Sequence, residues 1–292
     1  MTDVTAVGTL TRTARRQARR RTASPFRTPA GLIGLVLVLA FSVVALFADR
    51  IAPGDPFDTS AGPALSSPSA DHPMGTDNLG RDLATGIVHG ANTSMTIIVS
   101  VLAISAAIGI GVGAIAGYYG GITDVLLMRT AELFQVVPRF FLALLVIAYF
   151  GPGVDKLILL LGLTSWPFLA RVVRAEALTL RRREFVEAAR ATGASGARIL
   201  ARQVIPNLLP VAVVVLTLFA SRIILIEAGL AFLGLGDQNR VSWGLLANNA
   251  QQFLQRAWWM AVFPGLAIAL AVLGLNLVGD SINDALERRR SD

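Results

Sequence analysis

Long apolar runs without charge, separated by short clusters of arginine, aspartate, glycine and proline, make up most of this chain. The clearest is 30-AGLIGLVLVLAFSVVALFA-48, nineteen uncharged residues, long enough at 1.5 Å per residue to cross a hydrocarbon core of roughly 30 Å. Further runs predict spans within 93–119 and over about 124–149, 156–174, 206–233 and 258–280. Six spans return the chain to the side on which it started. Residues 1–29, rich in Thr, Ser and Arg, read as a disordered tail with room for an interfacial piece, and 284–292 as a second short tail. Between the first two spans, 49–92 reads as a loop carrying an interfacial helix. The fold class expected is an all-α membrane protein of six transmembrane helices. Residues 30–48 form the first helix, and 93–283 form a five-helix core that includes a polar loop at 175–205.

Composition supports a membrane protein. The chain of 292 residues is 54% hydrophobic and 15% charged, with a mean hydropathy of +0.61, too apolar for ordinary soluble domains. The net charge is +7 and the isoelectric point about 11.0. Such basicity commonly marks nucleic-acid binding, but here 25 of the 26 basic residues are arginines grouped between apolar runs. That is the distribution expected of cytoplasmic loops, and no nucleic-acid partner is expected. Arginines precede the first run, and Asp49, Asp55 and Asp58 follow it. The N-terminus is therefore expected inside and, by parity, so is the C-terminus with Arg288, Arg289 and Arg290. A cleaved signal peptide is the rival reading of the first run, but no small-x-small site follows closely. Without cysteine, and with His72 and His89 the only histidines, disulfides, thiolate chemistry and a Cys/His zinc site are excluded. No metal or cofactor site is expected in the chain.

Individual residues sharpen the picture. Gly109, Gly113 and Gly117 recur every fourth residue and predict a flat helix face for close packing. A phosphate-cradling loop would need a Lys-Ser/Thr ending that is missing here. Arg129 and Glu132 read as an i,i+3 pair. Arg139, after Pro138 and deep in the third span, has two readings: a water-filled translocation path, or a structural pairing at a local bend. Arg222 shares the path reading. Glu227, five residues on and about 140° around the helix, need not pair with it. Arg171 and Arg174 are expected to snorkel at the end of the fourth span. The polar loop 237-DQNRVSWG-244, with Asp237, Arg240 and Trp243, is an expected contact for an outside partner, and 75–94 reads as a surface turn and helix at the mouth of the bundle.

The segment 187-EAARATGASGARILARQVIPN-207 interrupts the apolar chain with one carboxylate, an alanine pair and two glycines among arginines. Its composition predicts a short helix lying off the membrane, broken at Gly193 and Gly196, with a small face that lets another protein approach closely. This segment resembles the EAA loop of binding-protein-dependent ABC importer permeases: Glu187, Ala188, Ala189 and Gly193 stand at the motif's spacing, and Ile205-Pro206 stands where Leu-Pro is common. Ser195, Gly196 and Ala197 are smaller than the residues often found there. The stretches 72-HPMGTDNLGRDLATGIVHGANTS-94, 226-IEAGLAFLGLG-236 with Trp243-Gly244, and 276-NLVGDSINDALERR-289 resemble the second permease of the dipeptide, oligopeptide and nickel branch.

The resemblance implies the type I importer permease fold, in the plasma membrane of a bacterium. It implies a partner permease, two ATPase subunits or domains that bind ATP and Mg, and an external solute-binding protein. Glu187, Ala188, Ala189, Gly193 and Pro206 would then belong to a coupling helix seated in the ATPase. The chain has no Gly-x-x-x-x-Gly-Lys-Ser/Thr loop, so hydrolysis falls to the partner and this subunit is not an enzyme. Arg139 and Arg222 favour a peptide carboxylate over a bare divalent ion, so peptide import is expected ahead of nickel or a chelated metal. An ion-coupled secondary transporter and a membrane scaffold or exporter subunit are the readings from other classes. Neither explains the separated motifs together.

Overall fold

The computed structural model describes residues 28–290, so the tail expected over 1–29 lies almost wholly outside the described residues. Helix α1 (Pro29–Leu46) begins where the Thr28 hydroxyl accepts the Gly31 amide at 3.1 Å, with Pro29 in the first turn, where a missing N–H breaks no bond. A short α2 (Ala48–Ile51) prolongs it. There follow α3 (Leu83–Tyr119), α4 (Gly121–Val136), α5 (Arg139–Phe150) and α6 (Val154–Leu180), the short α7 (Glu184–Ala191) and α8 (Gly196–Ile199), then α9 (Ile205–Leu230), α10 (Trp243–Ala250) and α11 (Trp259–Arg290). Five stretches are long and apolar enough to cross a membrane, and the α4–α5 pair makes a sixth if it counts as one bent span. Among the described residues, strand structure is limited to one bridge between Thr76 and Asp82. The protein is all-α and multi-spanning, as its apolar runs predict.

Several boundaries differ from the sequence reading, each for a physical reason. Helix α3 has 37 residues, about 55 Å at 1.5 Å each, and starts ten residues before the span predicted at 93–119. Its start is fixed by Asp82, whose Oδ2 accepts both the backbone N–H and the hydroxyl of Thr85 at 2.8 Å. The polar residues that hid this extension are satisfied inside the protein. Asn92 Nδ2 donates to the Ala45 carbonyl at 2.7 Å, and His89 Nε2 lies 3.1 Å from the Ala52 carbonyl oxygen. The interfacial helix expected within 49–92 is therefore the first turns of α3, and residues 52–82 are turns and bends.

The third span is not straight. Its two halves meet at 73°, because Pro138 removes a donor and pushes Val137 out of the helical region to ψ 121°. The fifth is longer than expected, running from Gly196 through Leu235 with Pro206 inside it. The turn Leu200–Val204 is π-helical, with the Ile205 amide bonded to the Leu200 carbonyl, and this wider turn stands immediately before the proline. Helix α6 runs on to Leu180, so Arg171 and Arg174 sit within it rather than at its end. Arg171 hydrogen-bonds Gln135 and Arg174 pairs with Asp124, its Nη2 at 2.6 Å from Oδ2, tying α6 to α4. Arg129 and Glu132 form the expected pair at 2.8 Å, on the surface of α4. Residues 284–290, expected as a tail, continue α11.

Glycine determines how closely the helices approach. A Cβ added at Gly113 would lie 2.5 Å from the Ala170 carbonyl oxygen, and one at Gly117 would lie 2.6 Å from both the Arg174 carbonyl oxygen and Ala177 Cβ. Gly109 meets Leu169 and Trp166 in the same way. The predicted glycine face thus packs along α6. Gly34 and Gly274 do the same between α1 and α11. Of the four apolar clusters among the described residues, two are large. One, around Ile97, Val101, Leu161 and Ile224, lies toward the end of the bundle that carries α10; the other, around Tyr118, Val173, Ile199 and Leu208, underlies α7.

Candidate functional site

Helix α7 is eight residues long and presents two unlike faces. Val186 and Ala189 point inward and are buried in the cluster with Tyr118, Leu180 and Ile199. Glu184, Glu187, Ala188 and Ala191, at helical spacing, point outward and are exposed, with Phe185 40% exposed beside them. The alanine pair expected to share one docking face is therefore split: Ala188 faces out, while Ala189 is the contact to the protein's own core. Glu184 and Phe185 belong to the outer face and were not singled out by motif. Their signal was the 3.6-residue period itself.

The helix is held at both ends. Glu184 and Glu187 stand in its first turn and Arg190 in its last, the signs that suit a helix dipole. The chain leaves through Gly193 at φ 81°, with the Gly193 amide bonded to the Arg190 carbonyl at 2.9 Å and the Ala194 amide to the Ala189 carbonyl at 3.1 Å. These two bonds form a Schellman cap, which requires a left-handed residue at this point. The Arg190 guanidinium lies 5.6 Å from the centre of the Tyr118 ring, and Arg181 Nη1 donates to the Gly117 carbonyl at 3.4 Å. These contacts tie α7 and the turn before it to the end of α3. A Cβ at Gly193 would meet nothing within 4 Å, so Gly193→Ala carries only the left-handed backbone cost of about 1 kcal/mol. Hydrogen exchange should show the α7 amides opening ~5-fold more readily, with the spans unchanged.

The two membrane arginines stand on different helices, and both contact α6. Arg139, half-buried at the start of α5, donates through Nη2 to the Thr164 carbonyl of α6 at 3.3 Å. Arg222, exposed on α9, sits 5.7 Å from the ring centre of Phe168, one turn further along α6, and Phe168 stacks on Phe219. Arg222 does not pair with Glu227. That carboxylate is only 2% exposed, with Ser94 Oγ at 3.5 Å and the Ser242 side chain also donating to it. Beside Thr164 opens a cavity of about 580 Å³ between the bent α4–α5 pair and α6. Its walls are apolar, with Leu133, Phe134, Leu142, Val146, Leu159 and Leu163 among them, and Lys156 stands at the far end.

At the opposite end from α7, the loop at 237–244 departs from expectation. Arg240 is exposed and Asp237 half-exposed, Asp237 accepting the Val154 amide at 3.2 Å. Trp243 is wholly buried. Its indole N–H donates to the Ile87 carbonyl at 3.0 Å and its ring meets Phe41 edge-on, so it anchors α10 on α3 and offers no surface to a partner. The segment at 72–82 is likewise internal in part: Thr76 and Asp77 are buried, and Trp259 Nε1 donates to the Thr76 carbonyl at 3.0 Å.

Residues 109–292, well over half of the chain and including α7, match the family described as the binding-protein-dependent transport system inner membrane component. The chain belongs to this permease family. The permease is also 40% identical over 278 residues, 95% of its length and 91% of the other's, to a Brucella suis protein provisionally named a peptide transport system permease protein. It is 37% identical to the dipeptide transport system permease protein DppC of Alkalihalophilus pseudofirmus, over 88% of this chain and 84% of that one. A di/tripeptide transport system permease protein DppC of Pseudomonas aeruginosa is 37% identical over 87% and 86%. The permease is a transport component of an importer complex and carries no catalytic role of its own.

Proposed function

We propose that this permease forms half of the translocation path of an ATP-driven importer of di- and oligopeptides, and that α7 is the element through which its ATPase acts. The observation that carries the second part is the exposed face of Glu184, Glu187, Ala188 and Ala191, on a helix whose inner face and both ends are tied to the spans. Small side chains let a partner groove close over the helix, and the carboxylates specify basic residues in it. Gly193 supplies the cap that presents the helix, and Pro206 lies in the span that continues from it. The partners are a second, homologous permease, two ATPase subunits and an extracytoplasmic solute-binding protein. Asp237 and Arg240 remain available on the surface to meet that protein.

Orientation follows from charge. The α7 end carries Arg181, Arg182, Arg183, Arg190, Arg198 and Arg202, while Asp49, Asp55 and Asp58 lie at the other end. This distribution supports a cytoplasmic position for α7 and both termini, in the plasma membrane of a bacterium. The peptide assignment is supported by the printed names of the relatives and by Arg139 and Arg222, which suit a carboxylate. Uptake of a radiolabelled dipeptide should depend on this chain and should be competed by unlabelled dipeptide but not by excess nickel. Chain-dependent nickel uptake, without dipeptide uptake, would replace the peptide reading.

A further inference from the structure

We propose that the apolar cavity between α4–α5 and α6 is a side-chain compartment of the translocation path, so that this permease itself favours peptides with bulky apolar residues. The inference rests on the peptide-import reading above. Three observations converge on this occupant.

The cavity, at about 580 Å³, falls within the roughly 300–1,000 Å³ of sites that hold small molecules, and its walls are almost entirely aliphatic or aromatic. Thr164 lines one end, its carbonyl holding Arg139, and Arg222 stands one helical turn further along α6, over Phe168. A guanidinium has five donors, and one backbone carbonyl leaves most of those of Arg139 to be met. Facing lipid tails with them is costly, whereas a carboxylate or water in a path satisfies them. Both arginines stand outside the chamber, beyond its Thr164 end, while Lys156 lines the far end; this arrangement matches a peptide terminus with its carboxylate at the arginines and the neighbouring side chain in the chamber.

The bend gives the chamber its shape. With Pro138 turning α5 by 73° away from α4, their apolar faces splay and cannot both close on α6. Leu163, 43% exposed, lines the resulting gap.

The test uses the complete importer, with its partner permease, ATPases and binding protein, in proteoliposomes. Uptake of Leu-Phe and of Gly-Ala is compared, each normalised to its affinity for the binding protein. Leu163→Trp, which fills the chamber, should lower Leu-Phe uptake about 10-fold and leave Gly-Ala uptake and peptide-stimulated ATP hydrolysis within 2-fold. Leu163→Ala, which enlarges it, should raise the Leu-Phe to Gly-Ala ratio and serves where the tryptophan variant does not assemble. Equal loss of both peptides would mean that the cavity is a packing surface for the partner permease. No change in either would mean that it faces lipid. Both results overturn the side-chain compartment while leaving peptide import standing; a wild-type complex that imports neither peptide instead overturns the import reading.

Discussion

Glu187→Arg should cut peptide import at least ~100-fold while the permease remains folded in the membrane. Glu187 is exposed, so the substitution removes no internal contact. It does put a cation into the first turn of α7, which weakens that helix by only a few tenths to about 1 kcal/mol through the helix dipole. The effect at a docked ATPase is larger. A carboxylate that meets basic residues becomes a like charge facing them, which costs several kcal/mol, and each 1.4 kcal/mol is tenfold in binding. Glu187→Gln, which keeps size and hydrogen bonding, should retain much more activity. Import assays paired with immunoblots of the membrane fraction distinguish loss of coupling from loss of protein.

Gly113→Leu should prevent the bundle from forming. The nearest neighbours of an added Cβ are the Ala170 carbonyl oxygen at 2.5 Å and Val173 Cβ at 2.8 Å, and a backbone oxygen has no rotamer to move to. Helices α3 and α6 would have to separate along their main contact, opening the core around Ala114, Leu169 and Val173. Gly111 provides the control. It stands two residues away on the same helix, with nothing within 4 Å of an added Cβ, so Gly111→Leu should be tolerated. Size-exclusion profiles in mild detergent should show a sharp peak for Gly111→Leu and aggregate or no folded protein for Gly113→Leu.

The contrast between those two glycines marks what was legible in the sequence. A four-residue period specifies a helix face without knowledge of its partner, so Gly109, Gly113 and Gly117 were readable before α6 was known to lie against them. Uncharged runs were readable for the same reason, since lipid imposes a length. The start of α3 was not, because His89 and Asn92 look like loop residues until the Ala52 and Ala45 carbonyls are seen to satisfy them. Trp243 misled in the opposite direction. Its polar neighbours suggest an exposed loop, while Ile87 and Phe41, more than 150 residues away, bury it. In α7, Gly193 was readable as a break because a left-handed cap favours glycine. The inward turn of Ala189 depended on which side of the helix met Tyr118 and Ile199. The cavity beside Thr164 had no sequence signal beyond Pro138, because it arises from how two helices diverge from a third.

Purification of this permease from its native membrane in mild detergent, beside the Glu187→Arg variant, with mass spectrometry of the proteins that accompany each, tests the role of α7 most directly. A second permease should accompany both forms, and one or two ATPases should accompany the native form and be lost from the variant. Native permease that repeatedly comes without any ATPase, under conditions that keep other transport complexes whole, would contradict that role, as would a variant that keeps its ATPases at full yield.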